Sequence, residues 1–295
     1  MSLFETIIRQ ILNGLQAGSI YALVALGYSM VYGIITLLNF AHGDVIMVGA
    51  YLAWFVMARF AMNPIFAVVV AVLGCTLLGM TIEKVAYKPL RGSPRISLLI
   101  TAIGVSYFLE NAAQMIFGAN GKSIPDIITL KAIEIGGIQI PGTALVTLVA
   151  SGVSMAALTL LVNHTRMGRA MRAVSEDTGA AQLMGVNISN TISFTFALGS
   201  ALAGIGSVLY SCAYPQANPT MGAMLGLKAF VAAVLGGIGS IPGAMVGGFA
   251  IGLAEALVSA VGLSVWKDGV VFAILIIVLL VRPTGILGKP VSEKV

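Results

Sequence analysis

A chain of 295 residues with 58% hydrophobic and 9% charged side chains has a mean hydropathy of +1.01. Soluble domains use roughly 45–50% apolar residues, so water is not this chain's main solvent, and it reads as an integral membrane protein with no nucleic-acid partner. Its 16 basic and 11 acidic residues leave long uncharged gaps, from Arg9 to Asp44, Glu134 to Arg166 and Asp177 to Lys228. A helix needs only about 20 apolar residues to cross the hydrocarbon, so these gaps hold several spans.

The opening MSLFETIIRQ lacks the basic n-region, short apolar run and cleavage site of a removable signal, so the first apolar segment, 11–38, is expected to stay as a membrane helix. Further apolar segments follow at 43–58, 62–82, 96–118, 141–163, 188–213, 226–238, 243–263 and 268–282. The pattern predicts one all-α domain over 1–295, a polytopic transmembrane helix bundle with eight or nine apolar segments. Three of them, 43–58, 226–238 and 268–282, are short enough to be half-helices, broken or re-entrant.

Asn39, His42 and Asp44 fall together at the break between the first two segments, a geometry that can line a cavity. The plainer role of Asp44 is to cap the next helix, whose N-terminal dipole favours a carboxylate. Lys84, Lys88, Arg91 and Arg95 then form a basic cluster that the positive-inside rule assigns to the cytoplasm. Within 96–118, Glu110, Asn111 and Gln114 put polar groups on one face, suited to an inter-helix hydrogen bond or to a functional role inside the membrane. The loop 119–140 balances Lys122 and Lys131 against Asp126 and Glu134 and should face outward. Its GANGKS resembles a phosphate loop, but Ile116 stands where the first glycine of that pattern belongs.

Arg166, Arg169 and Arg172 form a second basic cluster, flanked by chance-level N-x-[ST] matches at Asn163 and Asn187. Arg282, Lys289 and Lys294 form a third, which places the C-terminus in the cytoplasm. Passing from the second cluster to the third takes an even number of crossings. Segments 188–213 and 268–282 supply two, so 226–263 must supply none or two and cannot be one long helix. Its centre, GGIGSIPG, brings Gly236, Gly237, Gly239, Pro242 and Gly243 to break it. Lys228 is either a pathway group or a side chain snorkelling to the outer interface, and Glu255 is interior or near the outer surface according to tilt. A faint likeness between 39–51 and 240–252 is consistent with an internal repeat of broken helices.

Thirty-five glycines include the GxxxG pairs Gly14 and Gly18, Gly243 and Gly247, and Gly248 and Gly252, the signature of closely packed helices in lipid. Cys75 and Cys212 lie in apolar surroundings, too few for a disulfide framework or a metal cluster. His42 and His164 sit on different segments with no HExxH and no neighbouring nucleophile, so neither catalysis nor a metal site is expected. There is no acidic run or His–carboxylate chain for proton coupling, and no nucleotide loop. A transporter built this way takes its energy from a partner protein.

One soluble-looking stretch, GRAMRAVSEDTGAAQLMGVN at 168–187, concentrates charge in the interior of the chain. It reads as a short amphipathic helix interrupted at Gly179. Either its arginines hold it on the anionic inner leaflet, or it is a peg that enters a cytoplasmic ATPase.

NGLQAGSIYALVALGYSMVYGIITLLNFAHGDVIMVGAY (13–51), TRMGRAMRAVSEDTGAAQLMGVN (165–187), GLKAFVAAVLGGIGSIPGAMVGGFAIGLAEAL (226–257) and RPTGILGKP (282–290) resemble the permease subunits of bacterial ABC importers for branched-chain amino acids, the LivH type. The likeness runs over nearly the whole chain. It implies a type II ABC importer-like fold in the bacterial inner membrane, a second homologous permease, two cytoplasmic ATPase subunits that bind ATP and magnesium, and a periplasmic substrate-binding protein. No cofactor and no ATPase site are implied on this chain. It also implies that 164–187 is the cytoplasmic coupling loop, in which Arg169, Arg172, Glu176, Asp177, Ala180 and Gly185 stand. Glu176, Ala180, Ala181 and Gly185 follow the older EAA-loop pattern only loosely. The implied substrates are leucine, isoleucine and valine; related permeases move urea, short amides or other amino acids, and a stand-alone ion-coupled carrier is the reading outside the family.

Overall fold

The computed structural model describes residues 3–36, 38–128, 130–135 and 138–288. Lys289 and Lys294 of the third basic cluster, and the last residues of RPTGILGKP, lie outside them. The first uncharged gap folds as α1 (Leu3–Ile35), and after a break the chain resumes as α2 (His42–Trp54), which runs on through a π-helical turn, Phe55–Arg59. α3 (Pro64–Ile82) starts where Asn63 accepts a hydrogen bond from the Ile65 amide at 3.0 Å, with Pro64 in the first turn, where its missing N–H costs nothing. A π turn and a 3₁₀ turn carry α3 into the corner before α4 (Arg95–Phe117).

Three short strands follow, β1 (Lys122–Ser123), β2 (Ile133–Ile135) and β3 (Ile138–Ile140), then α5 (Gly142–His164), α6 (Arg166–Glu176), α7 (Thr178–Leu183) and α8 (Ile188–Ala213). β4 (Gln216–Ala217) precedes α9 (Met221–Gly236) and α10 (Ile241–Ala260), and a 3₁₀ turn at Ser264–Trp266 leads into α11 (Lys267–Val281). β1 pairs with β4 and β2 with β3, both antiparallel, which gives two small ribbons among the described residues.

Each of the nine expected apolar segments is a helix, and seven described helices are long and apolar enough to cross a membrane. α2, with 13 residues, and α9, with 16, are the short ones, as expected. The third short segment is corrected: with its leading turn, Ser264–Val281 makes an 18-residue span. The stretch 226–263 is two helices, α9 and α10, as the expectation that it is not one long helix requires. The two stretches compared as a repeat each open a helix after a break, α2 and α10.

α1 and α8 lie at the centre of the bundle, while α4 and α11 present most of their surface outward. Lipid offers helices no hydrophobic reason to associate, so contact rests on close packing, and small residues permit it. Gly14 and Gly18 of α1 face the backbone of Gly252 and Gly248 of α10. On the other side of α10, Gly243 meets Gly236 and Gly247 meets Ala232 of α9, so all three GxxxG pairs are spent on helix contacts. Cys75 is buried, its thiol donating to the Val45 carbonyl at 3.2 Å, and Cys212 is half-buried.

The two ends of the bundle differ chemically. At one, buried Glu83 accepts from Arg91 and from the Ser193 hydroxyl at 2.6 Å, tying the corner with Lys84, Lys88 and Arg95 to the start of α8 and therefore to α6 and α7. At the other, β1 and β4 join the loop after α4 to the exit of α8. These are called below the basic end and the ribbon end.

Candidate functional site

α2 begins inside the bundle. Its N-cap is Ala41, without a side-chain cap, and Asp44 sits in the first turn, so the expected capping role of Asp44 is corrected. The buried Asp44 carboxylate instead accepts from the Ser106 hydroxyl of α4, at the N-terminal turn, where the helix dipole favours its charge. Glu110 follows Ser106 by four residues on the same face of α4 and is half-buried. Asn111 is exposed and donates to the Tyr107 carbonyl of its own helix at 2.7 Å, which corrects the expected inter-helix bond at that residue.

Asn39 accepts from the Tyr87 hydroxyl at 2.7 Å, and the His42 ring stands edge-on to Tyr28, 4.9 Å between centroids, in a notch left by Gly27. Among the described residues, His42 Nε2 and Asp44 Oδ1 are buried without a hydrogen-bond partner. The break therefore brings Asn39, His42 and Asp44 into the interior and ties or packs each against a different part of the bundle. The first turn of α2 also meets that of α9: a side chain at Gly43 would run into the Gly222 backbone, and one at Gly222 into that of Gly43.

The second break has a different cause from the one proline would give. Gly237 (φ 105°) and Gly239 (φ 90°) take backbone conformations that only glycine adopts readily, and these end α9. Pro242 lies in the first turn of α10, whose N-cap Ser240 accepts from the Gly243 amide at 3.2 Å. The orphan carbonyls at the end of α9 are taken by the tail: the Ile286 and Leu287 amides donate to Leu235 and Gly236 at 2.8 and 2.9 Å. The motif RPTGILG thus seals the break that GGIGSIPG makes.

A charged cluster lies between these helices. Lys228 Nζ of α9 is 2.6 Å from Glu255 Oε1 of α10 and 2.6 Å from Asp268 Oδ1 of α11, and the Tyr21 hydroxyl of α1 donates to Glu255 Oε2 at 2.7 Å. Lys228 and Glu255 are each only 7% exposed. Both side chains are therefore enclosed by the bundle rather than open to its outer surface. Two clefts of about 330 and 320 Å³ flank the cluster, one reaching Lys228 and Tyr21, the other Glu255.

At the basic end, α6 turns sharply off α5. Thr165 accepts from the Gly168 amide at 3.0 Å, Gly168 sits against the carbonyls of Leu161 and Val162, and Arg172 reaches back to the Val162 carbonyl at 2.6 Å and Asn163 Oδ1 at 3.1 Å. Arg172 is thus a lock on the last carbonyls of α5 rather than a free surface charge. Met171, Val174 and Ala181 face the bundle, whereas Arg169, Glu176, Asp177, Ala180, Leu183, Met184 and Gly185 are exposed.

Asp177 caps α7 through the Gly179 and Ala180 amides at 2.8 and 3.0 Å. Gly185 (φ 81°) ends it with Gly185 N–H to Gln182 and Val186 N–H to Ala181, both 3.0 Å, a Schellman closure. Gly185→Ala is expected to cost about 1–2 kcal/mol locally, because a Cβ disfavours this conformation. Hydrogen exchange at the Gly185 and Val186 amides reads it, and unchanged protection would show that the closure does not hold the turn.

Residues 10–279 match the model of a family described as branched-chain amino acid transport system / permease component. The chain belongs to this permease family. It is 44% identical over 300 residues to the high-affinity branched-chain amino acid transport system permease protein BraD of Pseudomonas aeruginosa, covering 98% of both chains. Identity is also 44% over 304 residues to the permease protein LivH of Escherichia coli K12, covering 99% of both. The solved structure of PsaBC from Streptococcus pneumoniae in complex with Fab superposes with a TM-score of 0.50 at 11% identity, over 92% of this chain and 91% of that one, a likeness of fold.

Two members of the permease's charged cluster escaped the sequence reading. Asp268 stands at the edge of an apolar run and looked like a segment boundary, and Tyr21 lies in an uncharged stretch with nothing to mark it. An acidic residue in the first turn of a membrane helix was the available signal, because such a group needs a cation when its surroundings exclude water.

Proposed function

We propose that this permease is one of two membrane subunits of an ATP-driven importer for leucine, isoleucine and valine in a bacterial inner membrane. A periplasmic protein delivers the amino acid to the ribbon end, and two cytoplasmic ATPases, which carry the ATP and magnesium, dock at the basic end. The observation that carries this reading is the 44% identity, over nearly the full length, to permeases named for high-affinity branched-chain amino acid transport. The positive-inside rule supports the orientation, with the basic corner, α6, α7 and the C-terminus in the cytoplasm.

The α6–α7 pair suits the coupling role. Its base is fixed by Thr165, Gly168 and Arg172, and its tip offers two apolar side chains, Leu183 and Met184, 90% and 85% exposed. A fixed base with an apolar tip transmits force where a loosely tethered helix would not. When the ATPases close on ATP, the tip moves with them, and the two helix breaks, at 39–44 and 236–243, let helices rock around the interior path.

The test is purification of the tagged chain from its native membrane in mild detergent, with mass spectrometry of what accompanies it. A second permease and two ATPases are expected; a chain recovered alone across several detergents and with crosslinking would overturn the reading. Deletion of the chain should abolish leucine uptake and leave urea uptake unchanged. Leu183→Asp with Met184→Asp should weaken ATPase co-purification at least about tenfold, the loss of roughly 1.4 kcal/mol, without lowering the amount of folded permease. Full recovery of the ATPases with that double variant would remove the tip from the coupling contact.

A further inference from the structure

Lys228 is the single basic residue between Arg172 and Lys267. It lies about two turns into α9, and its ammonium is held by carboxylates from two other helices. Holding α9, α10 and α11 together needs no charge, since apolar side chains of similar volume do it as well or better. An ionisable group kept inside a membrane bundle is a functional candidate for that reason.

The clefts on either side give the cluster something to act on. The larger, about 330 Å³, is lined by Tyr21, Tyr210, Met221, Met224, Leu225 and Lys228, and falls at the small end of the roughly 300–1,000 Å³ typical of ligand sites. The other reaches Glu255 from the side of Asn13, Gln16 and Tyr214. Tyr210 and Tyr214 belong to the ribbon end of α8 and to the turn after it, so both clefts lie away from the coupling helices. One buried ion pair thus shows an ammonium to one cleft and a carboxylate to the other.

An α-amino acid carries the complementary pair, a carboxylate and an ammonium on one carbon. Entering from the larger cleft, it can trade partners with the cluster: its carboxylate takes Lys228, its ammonium takes the Glu255 Oε1 that Lys228 gives up, 2.6 Å behind Nζ and beside Tyr21, and Asp268 stays on Lys228. The incoming molecule has no net charge, so the interior is no more charged after the exchange than before it. Met224 and Leu225 offer an adaptable apolar surface to an aliphatic side chain.

We propose that Lys228 and Glu255 form a recognition site for the zwitterionic head of an aliphatic amino acid, whose side chain lodges against Met224 and Leu225. The site rests on the transport function proposed above and gives the substrate a resting place on the membrane subunit itself.

The test uses the assembled permease–ATPase complex, purified without the substrate-binding protein so that its selectivity does not enter. L-Leucine is expected to raise the Tm of the complex saturably, while 4-methylpentanoate, which lacks the ammonium, and 3-methylbutylamine, which lacks the carboxylate, do not. Met224→Trp fills the cleft from a position 41% exposed and leaves the ion cluster in place; it should keep the unliganded Tm and lose the leucine shift. A wild-type complex without a leucine shift, a full shift in Met224→Trp, or one-charge analogues as effective as leucine would each overturn the site. Leucine uptake in cells lacking the chain separates the two claims. Uptake lost but no leucine shift sinks the site and leaves the transport function standing, whereas uptake unaffected by the deletion sinks both.

Discussion

Lys228→Met is expected to lower the stability of the permease by about 3–5 kcal/mol, the range for breaking a buried pair by removing one partner. The cost falls mainly on Glu255. Its carboxylate, only 7% exposed, would keep the Tyr21 hydroxyl as its hydrogen-bond donor, whereas the Asp268 side chain is 40% exposed and can be hydrated. A second change discriminates between loss of charge balance and loss of packing. Lys228→Met with Glu255→Gln removes both charges and keeps an acceptor for Tyr21, so most of the stability should return. Thermal unfolding of the purified permease in one detergent compares the three proteins. If the single variant melts with the wild type, the cluster does not hold these helices together; if the double variant is as weak as the single one, packing of the lysine stem and not its charge is what matters.

What the sequence made legible follows from the physics of the membrane. Hydrocarbon demands long uncharged runs, so the nine apolar helices among the described residues, with the short α2 and α9, can be read from the spacing of charges. The glycines of GGIGSIPG announced a break for a reason that holds in space, since Gly237 and Gly239 adopt positive φ. Partners are another matter, because they depend on which helices become neighbours. Asp44 looked like a cap because it precedes an apolar run, yet the helix starts two residues earlier and the carboxylate reaches Ser106, 62 positions away. Arg172 looked like one surface charge among three, and only the fold back onto α5 gives it the Val162 carbonyl. Lys228 and Glu255 were visible as costly residues, while the ion pair across 27 positions and the bond to Tyr21 across 234 were not.

The glycine seam between α1 and α10 carries the second large effect, and it is coupled to the same cluster. A Cβ at Gly252 would meet Cα and N of Gly18 and the carbonyl of Gly14, all backbone atoms with no rotamer to move aside. Gly252→Leu must therefore push the two helices apart, at about 1–3 kcal/mol for overpacking alone. The two helices run antiparallel, so Glu255 and Tyr21 lie about one turn to either side of the Gly252–Gly18 contact, and parting the helices there stretches the Tyr21–Glu255 hydrogen bond that spans it. Losing that charged bond adds roughly 1.5–3 kcal/mol, for a total of about 2.5–6 kcal/mol. Gly104 and Gly152, in α4 and α5, have no atom within 4 Å of an added Cβ. The same substitution there should be neutral or gain up to about 1 kcal/mol from helix propensity. Melting curves of the three leucine variants read the difference directly. Equal stability at all three positions would mean that α1 and α10 can part without loss, and that the close approach of their backbones is not what holds Tyr21 against Glu255.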